Sequence, residues 1–323
     1  MSRQSVQISY DCLNAVPIIL PSHQHLHLYL VGCGGTGGWL APTLVRLAKI
    51  LTDQGCSVSL TLIDYDHVEK VNIPRQNFIQ ADLGLNKAQV LALRYGMAYG
   101  VEVMAIAEHF NPEMLRADYN SLSVVIGCVD NSAARMAIAK TLQKNLPNTA
   151  PRILWLDGGN TRTQGQVLLG SWSEPEQNPT LFAHIGQVDD TNNFTKPVGC
   201  VHLPSPSIQH PELLQPLPPE SLDHNLSCEE LARANAQSLL INQRVAVELG
   251  EYLVELLLVK NLRRFATYFD VVRLICNATE SWVLFVPLAA ARISFTRLTK
   301  PWELLGRRII CSRMNCCLGV KLI

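Results

Sequence analysis

Residues 26–51, LHLYLVGCGGTGGWLAPTLVRLAKIL, decide how the chain folds. The apolar run Leu26 to Val31 has the length of a strand and leads straight into Gly-Cys-Gly-Gly-Thr-Gly-Gly at 32–38. From Trp39 onward the apolar residues Leu40, Leu44, Leu47, Ala48 and Leu51 recur at helical spacing. Strand, tight turn and helix follow without a break. Gly32, Gly34, Gly35 and Gly37 let the backbone turn sharply and approach a phosphate, whose charge meets free N–H groups at a helix start. Such a turn serves NAD-, FAD- and ATP-binding proteins alike, so it points to a nucleotide and leaves the reaction open.

Outward from that turn the same alternation repeats. Val58 to Ile63 reads as a second strand ending on Asp64, followed by a polar loop to Asp82 and a helix from about Leu83 to Tyr95. Further strands are expected at Val101 to Ala107, Leu122 to Ile126, Ile153 to Leu156 and Gln166 to Gly170, with a helix over 131–146 capped by Asn131 or Ser132. Strands alternating with helices predict an α/β, Rossmann-like doubly wound and mostly parallel sheet, with the ligand site at the carboxyl ends of the strands. Residues 26–171 form this nucleotide-binding core, preceded by an N-terminal segment, 1–25. Between Pro197 and Pro219 lie seven of the 18 prolines, so 172–225 is expected to be a crossover loop without regular elements. The rest, 226–323, is expected to hold a long helix over about 228–260 and strands near 266–275 and 282–288. Residues 307–323 show no clean pattern.

Composition narrows the partners. Lys+Arg and Asp+Glu are both 27, so no global field draws the 323-residue chain to nucleic acid or to an anionic membrane. The most apolar helix-length stretch, Leu239 to Val259, is interrupted by Arg244, Glu248, Glu251 and Glu255 at helical spacing, which marks an amphipathic helix and not a membrane span. Ten cysteines are scattered without a single C-x-x-C pair, so no structural zinc is expected. Cys33, Cys56 and Cys128 sit in apolar or Gly-rich segments, where a reduced thiol acts as a small hydrophobe. With no charged-then-apolar leader pattern at the start, a reducing, cytoplasmic setting is expected. His23, His25 and His27 alternate without another ligand nearby and read as an exposed strand edge.

The chemistry lies in three further runs. Asp64 ends the second strand, where an acidic residue accepts hydrogen bonds from a ribose. Residues 64–78 read DYDHVEKVNIPRQNF and 82–88 read DLGLNKA; residues 127–135 read GCVDNSAAR. Together these resemble the ThiF/MoeB/HesA adenylating family, whose runs are D-x-D-x-V-E-x-S-N-L-x-R-Q, D-I-G-x-x-K-A and D-C-x-D-N-x-x-x-R. Val71 and Ile73 stand where the family favours Ser and Leu. The likeness covers 26–170 strongly and 226–260 weakly, and within the family it is greatest to the ThiF-like proteins of PRTRC-type bacterial gene systems. It implies an enzyme that binds ATP and Mg²⁺ and adenylates the C-terminal carboxylate of a small ubiquitin-like or sulfur-carrier protein ending in Gly. By that likeness Arg75 and Lys87 neutralise triphosphate charge, while Asp130 holds Mg²⁺, a hard cation that prefers oxygen ligands. Asp66, Asn72, Gln76 and Asn131 complete the site, with Arg135 bracing it. The likeness also implies a homodimer.

Two departures stand out. The family's zinc-binding cysteine pairs are missing, and nothing between Met1 and Gln24 matches its N-terminal R-Y-x-R-Q segment; Arg3 is the only arginine there. Some relatives pass the activated carrier to a cysteine on the crossover loop. The candidates here are Cys200 and Cys228, the latter at a helix start, where a thiol pKa falls. Two rival classes share the glycine turn: an NAD(P)-dependent oxidoreductase, which leaves Arg75-Gln76, Lys87 and Asp130 unexplained, and a catalytically weak nucleotide-bound interaction protein, which the missing arginine segment favours.

Overall fold

One sheet of eight strands organises the computed structural model, which describes residues 15–115, 120–146, 149–161, 163–173, 199–215 and 228–270, with strand pieces at 7–8, 184–185, 275–280 and 320–321. The eight are β1 (His25–Val31), β2 (Ser57–Ile63), β3 (Val103–Ile106), β4 (Ser121–Gly127), β5 (Ile153–Asn160), β6 (Gln164–Gly170), β7 (Arg264–Asp270) and β8 (Ile275–Glu280). Their spatial order is β8-β7-β6-β5-β4-β1-β2-β3. The five strands from β5 to β3 are parallel; β6, β7 and β8 extend the sheet antiparallel. Strand order therefore reverses between β1 and β4, and the crevice beyond their carboxyl ends is where an open α/β sheet takes its ligand.

Helices cover both faces. They are α1 (Gly35–Asp53), α2 (Lys87–Tyr99), α3 (Ser132–Thr141), the short α4 (Pro206–Gln209) and α5 (Cys228–Leu253). A Cβ at Gly158 of β5 would meet Leu249 and Val245 of α5, whereas one at Gly127 would meet Ile138 of α3. Gly127 pairs in register with Asp157, the neighbour of Gly158, so α5 and α3 lie on opposite faces. On the α5 side α1 packs beside it and reaches α2, where Arg46 Nε donates to Tyr99 Oη at 2.8 Å. Strands buried on both faces need continuous apolar runs, and Leu28, Leu30, Leu62 and Ile126 are fully buried.

Several elements depart from the sequence expectation. The second helix begins at Lys87 and not Leu83, because Gly84 takes a φ of +80° and the Asn86 side chain caps the helix by accepting from Gln89 N–H at 3.1 Å. The third ends at Thr141 and tightens into a 3₁₀ turn over Leu142–Lys144. The proline-rich stretch does hold regular turns, α4 and a 3₁₀ segment Pro211–Leu214, each opening on a proline, where the missing N–H costs nothing. The long helix gives way at Leu253 to a π-turn, Val254–Val259, closed by Lys260 in the left-handed region. Glu248, Glu251 and Glu255 are gathered by Arg264 of β7 at 3.2–3.7 Å, so that face docks on the sheet. His25 and His27 lie on the central strand, not an edge, bonded to Ser57 and Ser59 of β2. The expected strand at 282–288 and Arg3 lie outside the described residues.

Candidate nucleotide-binding site

The glycine turn is closed by backbone contact. Gly32 has a φ of +88°, and a Cβ there would stand 2.6 Å from the Cys128 carbonyl oxygen. A Cβ at Gly37 would overlap the carbonyl oxygen of Gly32. The turn thus coils α1 tightly onto the ends of β1 and β4. Gly34 caps α1 without a side chain on the first-turn N–H groups, whereas α2 and α3 are capped by Asn86 and Asn131. Asp64 underpins the turn: its carboxylate accepts from Cys33 N–H at 2.6 Å and from Asp66 N–H at 2.8 Å. Burial raises the Asp64 carboxyl above its ordinary range.

Residues 64–86 are folded back beside this turn. Asn72 and Glu69 form a reciprocal cap, and Asn86 Nδ2 donates to the carbonyls of Asp64 and Asp66 at 2.8 and 3.0 Å. Asn77 donates to Gly38 O at 2.8 Å, while Arg94 binds Asn77 O and Asp82. Gln76 Nε2 lies 3.8 Å from where a Gly34 Cβ would stand. Arg75 is half-buried, and its Nε and the Gln76 Oε1 have no hydrogen-bond partner among the described residues. Lys87 sits at the first position of α2, and its buried ammonium donates to Asp66 Oδ2 at 3.0 Å. Lys87 and Asp64 both act electrostatically on the Cys33 thiol within the turn, and burial lifts that thiol well above its usual range. An unpartnered guanidinium N–H and an uncapped helix start beside a lysine suit a polyanion.

At the end of β4 Asp130 is exposed, with the Asn131 amide 3.5 Å from it. Asp130 acts on Tyr65, whose phenol is raised by Asp66 first, then by partial burial, Asp64 and Asp130. Mg²⁺ commonly takes one or two carboxylates and completes its shell with phosphate oxygens and water, and Asp130 suits that role. Arg135, one turn on, donates through Nε to Asp157 Oδ1 at 3.2 Å. Burial raises the fully buried Asp157 carboxyl despite that partner.

The two thiols fare differently. Cys200 is wholly buried against the Pro17 backbone, its Sγ donating to His202 O at 3.4 Å, and burial pushes its thiol up to about 12. That is a protonated, inaccessible thiol at neutral pH, the opposite of a transfer nucleophile. Cys228 opens α5, and its side chain lies outside the described residues. Among the other described cysteines Cys33 is buried and Cys128 partly so, but Cys56 is exposed and is not a packed hydrophobe of the core.

Four participants went unread in the sequence. Asn86 could have been found as an Asn directly before a helix. Tyr65 and His109 stack with ring centroids 3.7 Å apart, beside Asp64, whose N–H donates to Ile106 O; nothing local announces that pairing. Asn242 of α5 accepts from Thr36 Oγ1 at 3.3 Å and fills the space beside Gly35, tying the far helix to the glycine turn.

A doubly wound sheet with an uncapped glycine turn at its switch point is the architecture of a Rossmann-like nucleotide fold. The chain belongs to the ThiF family, whose model matches residues 22–203. It is 31% identical over 122 residues to a tRNA threonylcarbamoyladenosine dehydratase of Escherichia coli, covering 37% of this chain and 42% of that one. It is 27% identical over 137 residues to an ATP-dependent ubiquitin transferase-like protein, Cap2, of Pseudomonas aeruginosa, covering 42% and 23%. The chain thus spans less than half the length of these two relatives. Among solved structures it is similar to E. coli MccB with AMPCPP and MccA, at 14% identity and a TM-score of 0.47 over 80% of this chain and 65% of that one.

Proposed function

We propose that this chain binds Mg·ATP at the switch point and adenylates the C-terminal carboxylate of a small ubiquitin-like or sulfur-carrier protein. The observation that carries this reading is the approach of Lys87 and Gln76 to the uncapped start of α1. A dehydrogenase needs no cation there, whereas cleavage between α- and β-phosphates needs fixed positive charge where pyrophosphate departs. In this reading the glycine turn and Asp64 grip the nucleotide, and Asn72 and Asp66 hold Arg75 and Lys87 in place. Asp130 and Asn131 flank the α-phosphate, where Asp130 would ligate Mg²⁺. The substrate carboxylate attacks phosphorus, giving an acyl-adenylate and pyrophosphate; alignment and charge neutralisation supply most of the rate.

The relatives' names divide between an RNA-modifying and a ubiquitin-type activity. A formal net charge of zero supports a protein tail over a polynucleotide as partner. Family membership supports adenylation of a homodimeric kind in a reducing compartment, and no helix among the described residues is long and apolar enough to cross a membrane. ATP–pyrophosphate exchange tests the proposal. Carriers ending in Gly-Gly should stimulate exchange, and Asp130→Ala should abolish it while leaving the unfolding midpoint unchanged. Nucleotide binding without exchange for any carrier would make the chain a nucleotide-bound interaction protein instead.

A further inference from the structure

Gly35 opens α1, and the space that a side chain there would need is already filled. A Cβ at Gly35 would stand 2.5–3.0 Å from three atoms of one residue, the amide group of Asn242 on α5. The glycine at this position therefore answers a neighbouring helix as well as a ligand. The contact recurs further along both helices, where a Cβ at Gly250 would lie 3.0 Å from Thr43 Cγ2. From Gly35 to Thr43, and from Asn242 to Gly250, a helix advances by about 12 Å. So α5 runs beside the first turns of α1 in the same direction, with a glycine admitting the neighbour at each end of the contact.

Asn242 is the misfit in that seam. Its neighbours on the buried side of α5 include Ile241, Val245, Ala246 and Leu249, and Asn242 is itself only 9% exposed. Asparagine is a weak helix former, and a buried amide costs free energy unless it is hydrogen-bonded. Its partner is Thr36 in the first turn of α1, also buried, whose Oγ1 donates to Asn242 Oδ1 at 3.3 Å. A neutral hydrogen bond of this kind adds little net stability, so an apolar pair of similar shape would hold the two helices as well. What the bond adds is position. Thr36 follows the uncapped Gly34 closely, among residues whose N–H groups have no acceptor within the helix.

We infer that Asn242 is a positioning residue for the nucleotide: by holding Thr36 it fixes the first turn of α1 against α5, and with it the N–H groups that meet the phosphates. The inference rests on the part of the proposed function that places Mg·ATP at this helix start, and is independent of how the ATP is used. Donors already fixed in place bind an anion better than donors that must first be ordered. A loosened first turn loses contact with the phosphates and leaves Asp64, on the far side of the turn, free to hold the ribose. In this way α5 belongs to the nucleotide site without touching the ligand. Occupancy of the site and the seating of α5 then favour each other by the same factor.

Equilibrium dialysis of the full chain against Mg·ATP and against adenosine tests this. Asn242→Ala should weaken Mg·ATP about tenfold, the worth of one net hydrogen bond. Adenosine has no phosphate to meet the helix start and should change by less than about twofold. Thr36→Val should lose as much as Asn242→Ala, and the double variant no more than either alone. Thr36→Ser keeps the hydroxyl and should retain most of the affinity that Thr36→Val loses. Gly35→Ala should lower the unfolding midpoint. Asn242→Ala in that background should recover part of the midpoint without recovering Mg·ATP binding, which separates the space Asn242 fills from the bond it makes. An unchanged Mg·ATP affinity in Asn242→Ala, an equal loss for adenosine, or additive losses in the double variant would overturn the inference. No Mg·ATP binding by the unmodified chain would strike the nucleotide reading and the inference with it; binding that survives Asn242→Ala strikes the inference alone.

Discussion

Two glycines a turn apart in α1 do opposite jobs. Gly37 is packed against the carbonyl of Gly32, so an added methyl meets backbone that belongs to the turn itself and cannot swing aside. Gly34 has a negative φ and its nearest neighbour is the flexible Gln76 amide at 3.8 Å. Gly37→Ala should therefore destabilise the fold by about 2 kcal/mol or more, the upper part of the range for overpacking. Gly34→Ala should leave stability within about 1 kcal/mol and instead crowd the space over the first-turn N–H groups. Urea unfolding of both variants decides it: equal losses would mean that the close approach at Gly37 relaxes without cost. Cys200 makes a similar point. Its sequence neighbourhood suggests a loop thiol, and only the packed chain around it reveals a buried one.

Among the elements, Asn86 links two levels of structure. It caps α2 through Oδ1 and ties the carbonyls of Asp64 and Asp66 through Nδ2. Loss of a cap costs about 1 kcal/mol, and buried carbonyls left unpaired add about 1–3 kcal/mol. Asn86→Ala should thus cost about 2–4 kcal/mol, read from the shift in urea midpoint; a loss below about 1 kcal/mol would mean that water replaces the amide. This element also shows what could be read in advance. The strand, glycine turn and first helix were legible because each is local and periodic. The start of α2 was not: Leu83 and Leu85 continue an apolar pattern, while Gly84 and Asn86 end it through backbone conformation and capping. The runs at 64–78 and 127–135 follow the carboxyl ends of β2 and β4, on either side of β1. Their partners Asp157, His109 and Asn242 stayed hidden, since each meets the site only through sheet register or helix packing.

For the molecule as a whole, the sheet encloses two carboxylates at the crevice, Asp64 and Asp157, and burial raises both. A carboxyl whose folded pKa exceeds its unfolded value holds its proton more tightly in the fold. Between the two values the folded state binds more protons, so stability falls as pH rises through that window. Below the unfolded value, about 3.9 for Asp, the penalty is absent; above the raised folded value it is complete. Glu212, held low by His210, has the opposite sign, gaining stability as pH rises past its folded value. A raw pH profile of the whole chain therefore mixes both trends, and a difference between two chains separates them. Asp157→Asn keeps an oxygen for Arg135 Nε and removes the titration. The stability of the unmodified chain minus that of Asp157→Asn, from urea unfolding at a series of pH values, should decline as pH rises from about 4. A flat difference would mean that Arg135 compensates burial in full, and a rising one would make the Arg135–Asp157 pair a net stabiliser of the ionised site, with Asp157 depressed by its partner.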